Sequence, residues 1–273
     1  MNQITKMKQN KIVKRDSKEG SEVYNNRSLE VDYRTLKPLL RKDIRVLDVG
    51  CGTGAISKDV AVIIGNGGKI IGIDKDANFI ENGIANYGHI QNLELISTDI
   101  FDFNTDEKFD LIISARMLQW VSNPKEALLK MKSLLNTNGV ISILDYNHKK
   151  IHWNPKPPQS MIEFYEAFLK WREDAGMNNE IADYLPSLFQ DIGLKNIHTL
   201  NSDEYYTRER EDFQSKVGIW SKVAGLKQIS EEGYIDNSQR LNAAKEYDIW
   251  VETEAISMTM HLSETRGEIA SHQ

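Results

Sequence analysis

Only one cysteine, Cys51, occurs in the 273 residues. An internal disulfide and a multi-cysteine metal cage are therefore excluded, and a reducing cytoplasm is the natural home for such a chain. Long apolar runs are missing too: no stretch approaches the ~20 apolar residues that a membrane helix needs, so no membrane partner is expected. The N-terminal "MNQITKMKQNKIVKRDSKEG" is Lys-rich but has no apolar centre. It is not a secretory signal, and residues 1–21 read as a flexible basic tail. Positive charge is not in excess, with 34 Lys and Arg against 40 Asp and Glu and a net charge of −6. A surface that tracks nucleic-acid phosphates needs clustered basic residues, so no nucleic-acid partner is expected. Internal repeats and low-complexity segments are absent as well. What is present is a 40% hydrophobic content, enough for the core of one large α/β domain or of two smaller ones.

Residues 22–41 read as a helical lead-in with Leu29, Tyr33 and Leu36 on one face. A strand–helix alternation follows. "IRVLDVG", "KIIGID", "LELISTD", "FDLIISAR" and "VISILDY" are short, apolar, β-branched runs of the kind that form buried parallel strands. The helices between them carry end signals: Asp76 as a cap and Gly88 as a stop, then Asn123 as a cap, Pro124 in the first turn and Gly139 past the end. Five strands interleaved with helices predict a doubly wound parallel sheet. In such sheets a ligand lies outside the carboxyl ends of the strands. Beyond His148 the pattern changes. A Pro-rich "NPKPPQ" leads to a helix with a Ser160/Glu163 capping box and a Met161, Phe164, Phe168, Trp171 stripe. "EIADYLPSLFQDIGL" reads as a helix, "KNIHTLNSDEYYT" as a strand, about 209–228 and 237–254 as helices, and "ISMTMHLSE" as a strand.

The first strand–helix turn is "VLDVGCGTGAISKDV", with Gly50, Gly52 and Gly54 in five residues. A P-loop needs Gly-Lys-Ser/Thr at the helix start, and the lysine is missing. Gly50, Gly52 and Ala55 satisfy the relaxed dinucleotide fingerprint, with Asp74 at a suitable distance for a ribose. Asp48 discriminates: a carboxylate at the strand end repels a pyrophosphate but attracts the ammonium and sulfonium of S-adenosylmethionine. The glycines let the backbone approach such a ligand without a Cβ in the way. Asp74, with Lys75 beside it, ends the second strand, where its carboxylate can accept the ribose hydroxyls. Asp99 follows the third strand and can accept from the adenine amino group, with Ile100 or Phe101 against the ring.

In their order, "VLDVGCGTG", "IIGIDKD", "LISTDIFDF", "FDLIISARMLQWVSNPKEAL" and "LLNTNGVISILDY" resemble the class I S-adenosylmethionine-dependent methyltransferases over about residues 44–146. "LQWVSNP" is similar to the small-molecule enzymes of the ubiquinone/menaquinone-biosynthesis type; "NTNG" departs from the Lys-Pro-Gly-Gly turn usual there. The resemblance implies a Rossmann-like seven-stranded, mostly parallel sheet with the last strand antiparallel. "KNIHTL" would be strand six and "ISMTMHL" strand seven. It also implies a lid helix over 22–41, a cofactor-binding core over 42–146, a helical insertion over 147–178, and a C-terminal part over 179–273 with a substrate cover at about 208–254.

The expected cofactor is S-adenosyl-L-methionine, bound by Tyr24, Arg27, Asp48, Gly50, Cys51, Gly52, Gly54, Asp74, Lys75, Asp99, Ile100, Phe101, Ser114 and Gln119. Tyr24, Arg27 and Tyr33 are candidates for a lid over the cofactor carboxylate. Arg116, Trp120, Trp153 and Trp171 are candidate substrate contacts. His148, just beyond the fifth strand, is the candidate general base, and Tyr146 a candidate hydrogen-bond donor; the alternative for His148 is an exposed turn residue. Methyl transfer from a sulfonium needs no metal, and none is expected. The expected reaction is in-line displacement on a small-molecule O, N or C nucleophile by a monomer or homodimer. Open alternatives are an NAD(P)-dependent oxidoreductase and a methyltransferase acting on a protein or nucleic acid.

Overall fold

The computed structural model describes residues 27–269. In chain order the elements begin with a short helix α1 (Leu29–Asp32) and a 3-10 segment (Arg34–Leu39). Then come β1 (Arg45–Val49), α2 (Ala55–Ile64), β2 (Lys69–Asp74), α3 (Ala77–Tyr87), β3 (Leu93–Ser97) and β4 (Phe109–Ala115). A second 3-10 segment (Leu118–Trp120), α4 (Pro124–Ser133), β5 (Leu135–Asn154), α5 (Gln159–Asp174), α6 (Ile181–Asp191), β6 (Lys195–Asn201) and β7 (Glu204–Thr207) follow. Helices α7 (Phe213–Val217), α8 (Ile219–Gly225), α9 (Gln228–Glu231) and α10 (Asn237–Thr253) precede the last strand, β8 (Ser257–Glu268).

The chain divides into two compact units. Among the described residues, the core unit takes 27–145, Ile181–Ser202 and 263–269. Its strands lie in the order β3-β2-β1-β4-β5-β8-β6. The β1–β2, β2–β3, β1–β4 and β4–β5 pairs are parallel, and β8 runs antiparallel to β6. Period-two alternation along β1 sends Leu47 and Val49 to one face, where they share a core with Leu128 and Met131 of α4 and Leu185 and Phe189 of α6. Asp48 therefore points to the other face, where Ser57 of α2 meets it. The register sets Asp48 between Gly72 of β2 and Ile113 of β4.

The helical unit takes Tyr146–Glu180 and Asp203–Leu262. Here α10 packs on α5 and α8, around a cluster of rings. Tyr165 meets Trp220 with centroids 4.7 Å apart and Trp153 at 5.1 Å, and Phe168 meets Trp220 at 5.7 Å, all edge-to-face. Long cations close the helix ends. Arg208 donates to the carbonyls of Val251, Glu252 and Ala255 where α10 ends, and Arg240 donates to that of Ala224 near the end of α8 at 2.6 Å. Both satisfy carbonyls that a helix leaves without partners.

Several expectations are corrected. The lead-in is not one helix in its described part: α1 stops at Asp32 and a 3-10 segment containing Pro38 follows. The helix starting at Pro124 ends at Ser133, not at Gly139, and Asn123 makes no side-chain cap. Asn138, in the left-handed region at φ 63°, and Gly139 lie instead within β5, where the pairing with β4 shifts register. β5 runs on to Asn154, so residues 147–154 are strand rather than the start of a helical insertion. The Ser160/Glu163 box does not form, because the Ser160 hydroxyl donates to Glu246 at 2.5 Å; a box of that kind opens α10 instead, with Asp236 and Gln239. "KNIHTLNSDEYYT" is two strands, giving eight strands rather than seven. The break falls at Asp203, whose carboxylate accepts from the Leu262 N–H and from His261.

Candidate functional site

The β1–α2 turn is built by its glycines. Gly50, Gly52 and Gly54 have φ of 75°, 58° and 78°, in the left-handed region that side chains with a Cβ rarely adopt. At Gly50 a Cβ would run into the Met117 side chain. The turn is pinned to β2: the Gly50 and Cys51 N–H groups donate to the Ile73 carbonyl at 2.8 and 3.0 Å. The Gly52 N–H donates to Asp74 Oδ2 at 2.9 Å, and Asp76 N–H to Asp74 Oδ1 at 3.0 Å. Asp74 is thereby held at the strand end.

A small open cleft lies beside this turn, lined by Arg27, Asp48, Gly50, Cys51, Ala55, Ile56 and Ala115. Asp48 is 4% exposed and accepts from Ser57 Oγ at 2.6 Å. Burial raises its pKa to about 7 against that hydrogen bond, with the Asp74 charge adding to the rise. A carboxyl so poised gains its charge readily when a cation arrives. Cys51 is half-buried, and its thiol is pushed well above the ordinary range by burial and then by Asp48 and Asp74. It is a filler of the turn rather than a thiolate nucleophile. Gly72 keeps room for it, since a Cβ there would lie 2.9 Å from Cys51 Sγ.

Four of the residues expected at the cofactor thus line one cleft: Arg27, Asp48, Gly50 and Cys51. Asp74 stands behind the turn, and Asp99 caps its own loop, accepting from Phe101 N–H at 3.1 Å. Ile100 is buried in the sheet core, whereas the Phe101 ring is 44% exposed. Ser114 is fully buried, with its hydroxyl donating to the Val49 carbonyl at 2.7 Å, so it braces β1 against β4. Gln119 is buried. Its N–H donates to Asp145 at 3.1 Å and its amide to the Arg116 carbonyl at 3.1 Å. Sequence reasoning missed Ile56, Ala115 and Gly72, and met Ala55 only in the dinucleotide fingerprint. Their small or plain apolar side chains carry no chemical signal, although three of them adjoin or pair with the glycine turn and β1.

Profile comparison matches the family described as "Methyltransferase domain" to residues 40–207. The chain belongs to this family. Relatives include malonyl-[acyl-carrier protein] O-methyltransferase 1 of Ilyobacter polytropus, 27% identical over 189 residues, which are 68% of this chain and 64% of that protein. Demethylmenaquinone methyltransferase of Staphylococcus carnosus is 25% identical over 177 residues, 60% of this chain and 73% of that protein. The chain spans only 44% of a further relative from Invertebrate iridescent virus 6, at 28% identity over 120 residues. Among solved structures, a SAM-dependent methyltransferase from Aquifex aeolicus shares the fold with a TM-score of 0.54 at 15% identity, covering 94% of this chain and all of that one. Phosphoethanolamine N-methyltransferase 2 of Haemonchus contortus, solved with S-adenosyl-L-methionine, gives 0.56 at 14% identity, covering 89% of this chain and 52% of that one. This methyltransferase family depends on S-adenosylmethionine, and one observation at the cleft suits that cofactor: the buried acid Asp48, whose charge a cation would favour.

The remaining candidates of this methyltransferase-family chain fall elsewhere. Tyr24 lies outside the described residues, as does the basic tail. Tyr33 is not a mobile cover: it is 1% exposed, with its hydroxyl 2.8 Å from Ser142 Oγ. Lys75 follows Asp74 at the end of β2, and Trp120 is half-buried in its 3-10 segment. In the helical unit His148 is not a turn residue but a strand residue, 4% exposed, with Tyr146, Phe168 and Trp220 rings 5.4–6.1 Å from its own. Burial, and then the Arg172 charge, hold its pKa well below the usual histidine value. A neutral imidazole with a depressed pKa is a weak base. The Tyr146 hydroxyl donates to Glu204 at 3.0 Å, Trp153 to the Tyr247 hydroxyl at 3.0 Å, and Trp171 to Glu232 at 3.1 Å. Trp171 is 2% exposed and belongs to the ring core.

Proposed function

We propose that this chain transfers a methyl group from S-adenosyl-L-methionine to a small-molecule acceptor by in-line displacement. The observation that carries the reading is the buried carboxyl of Asp48 in a glycine-lined cleft shared with Arg27. A cationic ligand meets a carboxylate there, whereas a pyrophosphate would meet repulsion. The cofactor supplies a methyl group on a sulfonium, an electrophile with a good leaving group. The chain's own residues bind and orient. Asp48 attracts the cationic end, and Arg27 suits a carboxylate with its planar fork. Asp74, fixed by two backbone donors, accepts ribose hydroxyls. Phe101 offers an exposed ring to the adenine. Holding nucleophile and methyl in line can supply ~7–11 kcal/mol, so no strong protein base is required. This agrees with the weak basicity of His148. The names of the two bacterial relatives, one acting on a quinone precursor and one on a carrier-bound malonyl group, favour a small acyl or ring acceptor.

Thermal denaturation with S-adenosylhomocysteine tests the site. At a hundred times its dissociation constant the ligand should add ~2.7 kcal/mol. A metabolite screen with radiolabelled cofactor then finds the acceptor. Stabilisation by NADH and none by S-adenosylhomocysteine would overturn the reading; transfer to peptides alone would replace the small acceptor with a protein.

A further inference from the structure

We propose that Arg116 is a positioning residue. It fastens residues 27–36 to the chain just past β4, within the core unit, and so holds Arg27 at the cofactor cleft. The proposal rests on the cofactor reading of that cleft given above.

Arg27 lines the cleft from a segment that cannot hold its own shape, because α1 has four residues and an isolated helix of that length is unstable in water. Its place is set by fastenings to the core. Leu29 N–H donates to Asp59 of α2 at 2.9 Å. The Tyr33 hydroxyl meets Ser142 of β5, whose own hydroxyl donates to the fully buried Glu264 of β8 at 2.5 Å. Arg266 pairs with Glu264 at 2.6 Å and also donates to the Thr35 carbonyl.

Arg116 is a further fastening, next in sequence to the cleft wall. It directly follows Ala115, which lines the cleft, and its Nη2 donates to the Asp32 carbonyl at 3.0 Å. The residue is 6% exposed, so this guanidinium is directed at the chain's own backbone rather than toward solvent. The Arg116 backbone is also unusual, with φ of 60° in a region where arginine is disfavoured. Its N–H donates to the Leu144 carbonyl at 2.7 Å and its carbonyl accepts from Gln119, which together hold it there. An unfavourable conformation kept in place by surrounding bonds marks a side chain whose direction matters. Glycine at this position would suit the backbone while removing the whole side chain, whereas lysine keeps the stem and a charge without the fork.

The test uses the full chain with R116G, R116K, R27A and the R27A/R116G pair, reading S-adenosylhomocysteine affinity by calorimetry and trypsin cleavage after Arg34 by mass spectrometry. R116G should weaken S-adenosylhomocysteine about tenfold or more, the effect of losing one charged hydrogen bond. It should also speed cleavage after Arg34, and R116K should restore most of both. Because Arg116 acts through Arg27, the pair should be within about twofold of R27A alone. Should R116G fold poorly, Y33F removes a second fastening and should move both readouts in the same direction. Unchanged cleavage in R116G, or fully multiplicative effects in the pair, would overturn the proposal. R27A with no effect on affinity while R116G still speeds cleavage would instead refute the assignment of Arg27 to the cofactor.

Discussion

The two units use their polar groups in opposite ways. In the core unit, the strand-end acid Asp48 and the turn glycine Gly50 line a cleft, and Asp48 has a pKa near 7. In the helical unit His148, Trp171, Trp220, Trp250 and Arg172 are buried. Arg172 is fully buried, donating to Asn179 at 2.7 Å over the Phe168 ring. One unit has its charges poised for a ligand, while the other consumes them in packing. A buried aromatic or histidine in the second unit is thus weak evidence of catalysis, whereas an acid lining the cleft in the first is a better candidate for binding.

The sharpest break in this contrast is Asp74→Ala, which removes a carboxylate that orders the turn and that the proposed function assigns to the ribose. S-adenosylhomocysteine affinity should fall about a hundredfold or more, as expected for two hydrogen bonds to a charged group. Calorimetry showing unchanged affinity would sink the ribose assignment.

Next, alanine at two left-handed glycines should separate the units. Gly50→Ala meets both strain and the Met117 side chain, so a loss of about 3 kcal/mol in urea unfolding is expected, with loss of cofactor binding. Gly233, with φ of 81° and open space around it, should lose only about 1 kcal/mol on the same change.

Acidification should act with opposite signs. Asp48 has a raised pKa in the folded state, so the folded chain holds a proton that the unfolded chain releases above the ordinary carboxylate pKa of 3.8. Lowering the pH from about 7 therefore stabilises the core unit through Asp48. His148 has a lowered pKa, so the unfolded chain gains a proton below 6.5 that the folded one refuses. Lowering the pH through that value destabilises the helical unit. Each slope is at most about 1.4 kcal/mol per pH unit. Hydrogen exchange at pH 7 and pH 5.5, resolved by segment, reads both, and D48N or H148F should erase one without the other. Cationic cofactor should bind more weakly below about pH 7 by the same Asp48 titration; a flat affinity would argue that no cation lies near this acid.

The smallest effect concerns two tryptophans of the ring cluster. Trp220 is 3% exposed, and its Nε1 has no hydrogen-bond partner among the described residues. Trp220→Phe removes a buried donor that gains nothing and should change stability by less than about 1 kcal/mol. Trp171→Phe loses the bond to Glu232 and should destabilise by about 1 kcal/mol more. A reversed order would indicate a bound group on the Trp220 nitrogen.

Much of the core unit was legible because its signals are local. Apolar strand runs, the glycine turn and the acids Asp48, Asp74 and Asp99 fall within short windows whose order is itself informative. The helical unit was misread where a distant partner decides. Ser160 looked like a cap until Glu246, 86 residues away, took its hydroxyl. His148 looked like a mouth residue because β5 was expected to stop at Tyr146, and nothing local marks its continuation to Asn154. In the core unit, too, sequence shows neither the left-handed backbone of Arg116 nor its bond to the carbonyl of Asp32.

Cys51 is the single thiol of the chain and part of the cleft wall. The protein therefore carries a built-in occupancy gauge. Because burial and two acids keep that thiol protonated, a thiol-selective reagent at alkaline pH is needed to label it, and slower labelling on adding a ligand would report occupancy of the cleft without any knowledge of the methyl acceptor.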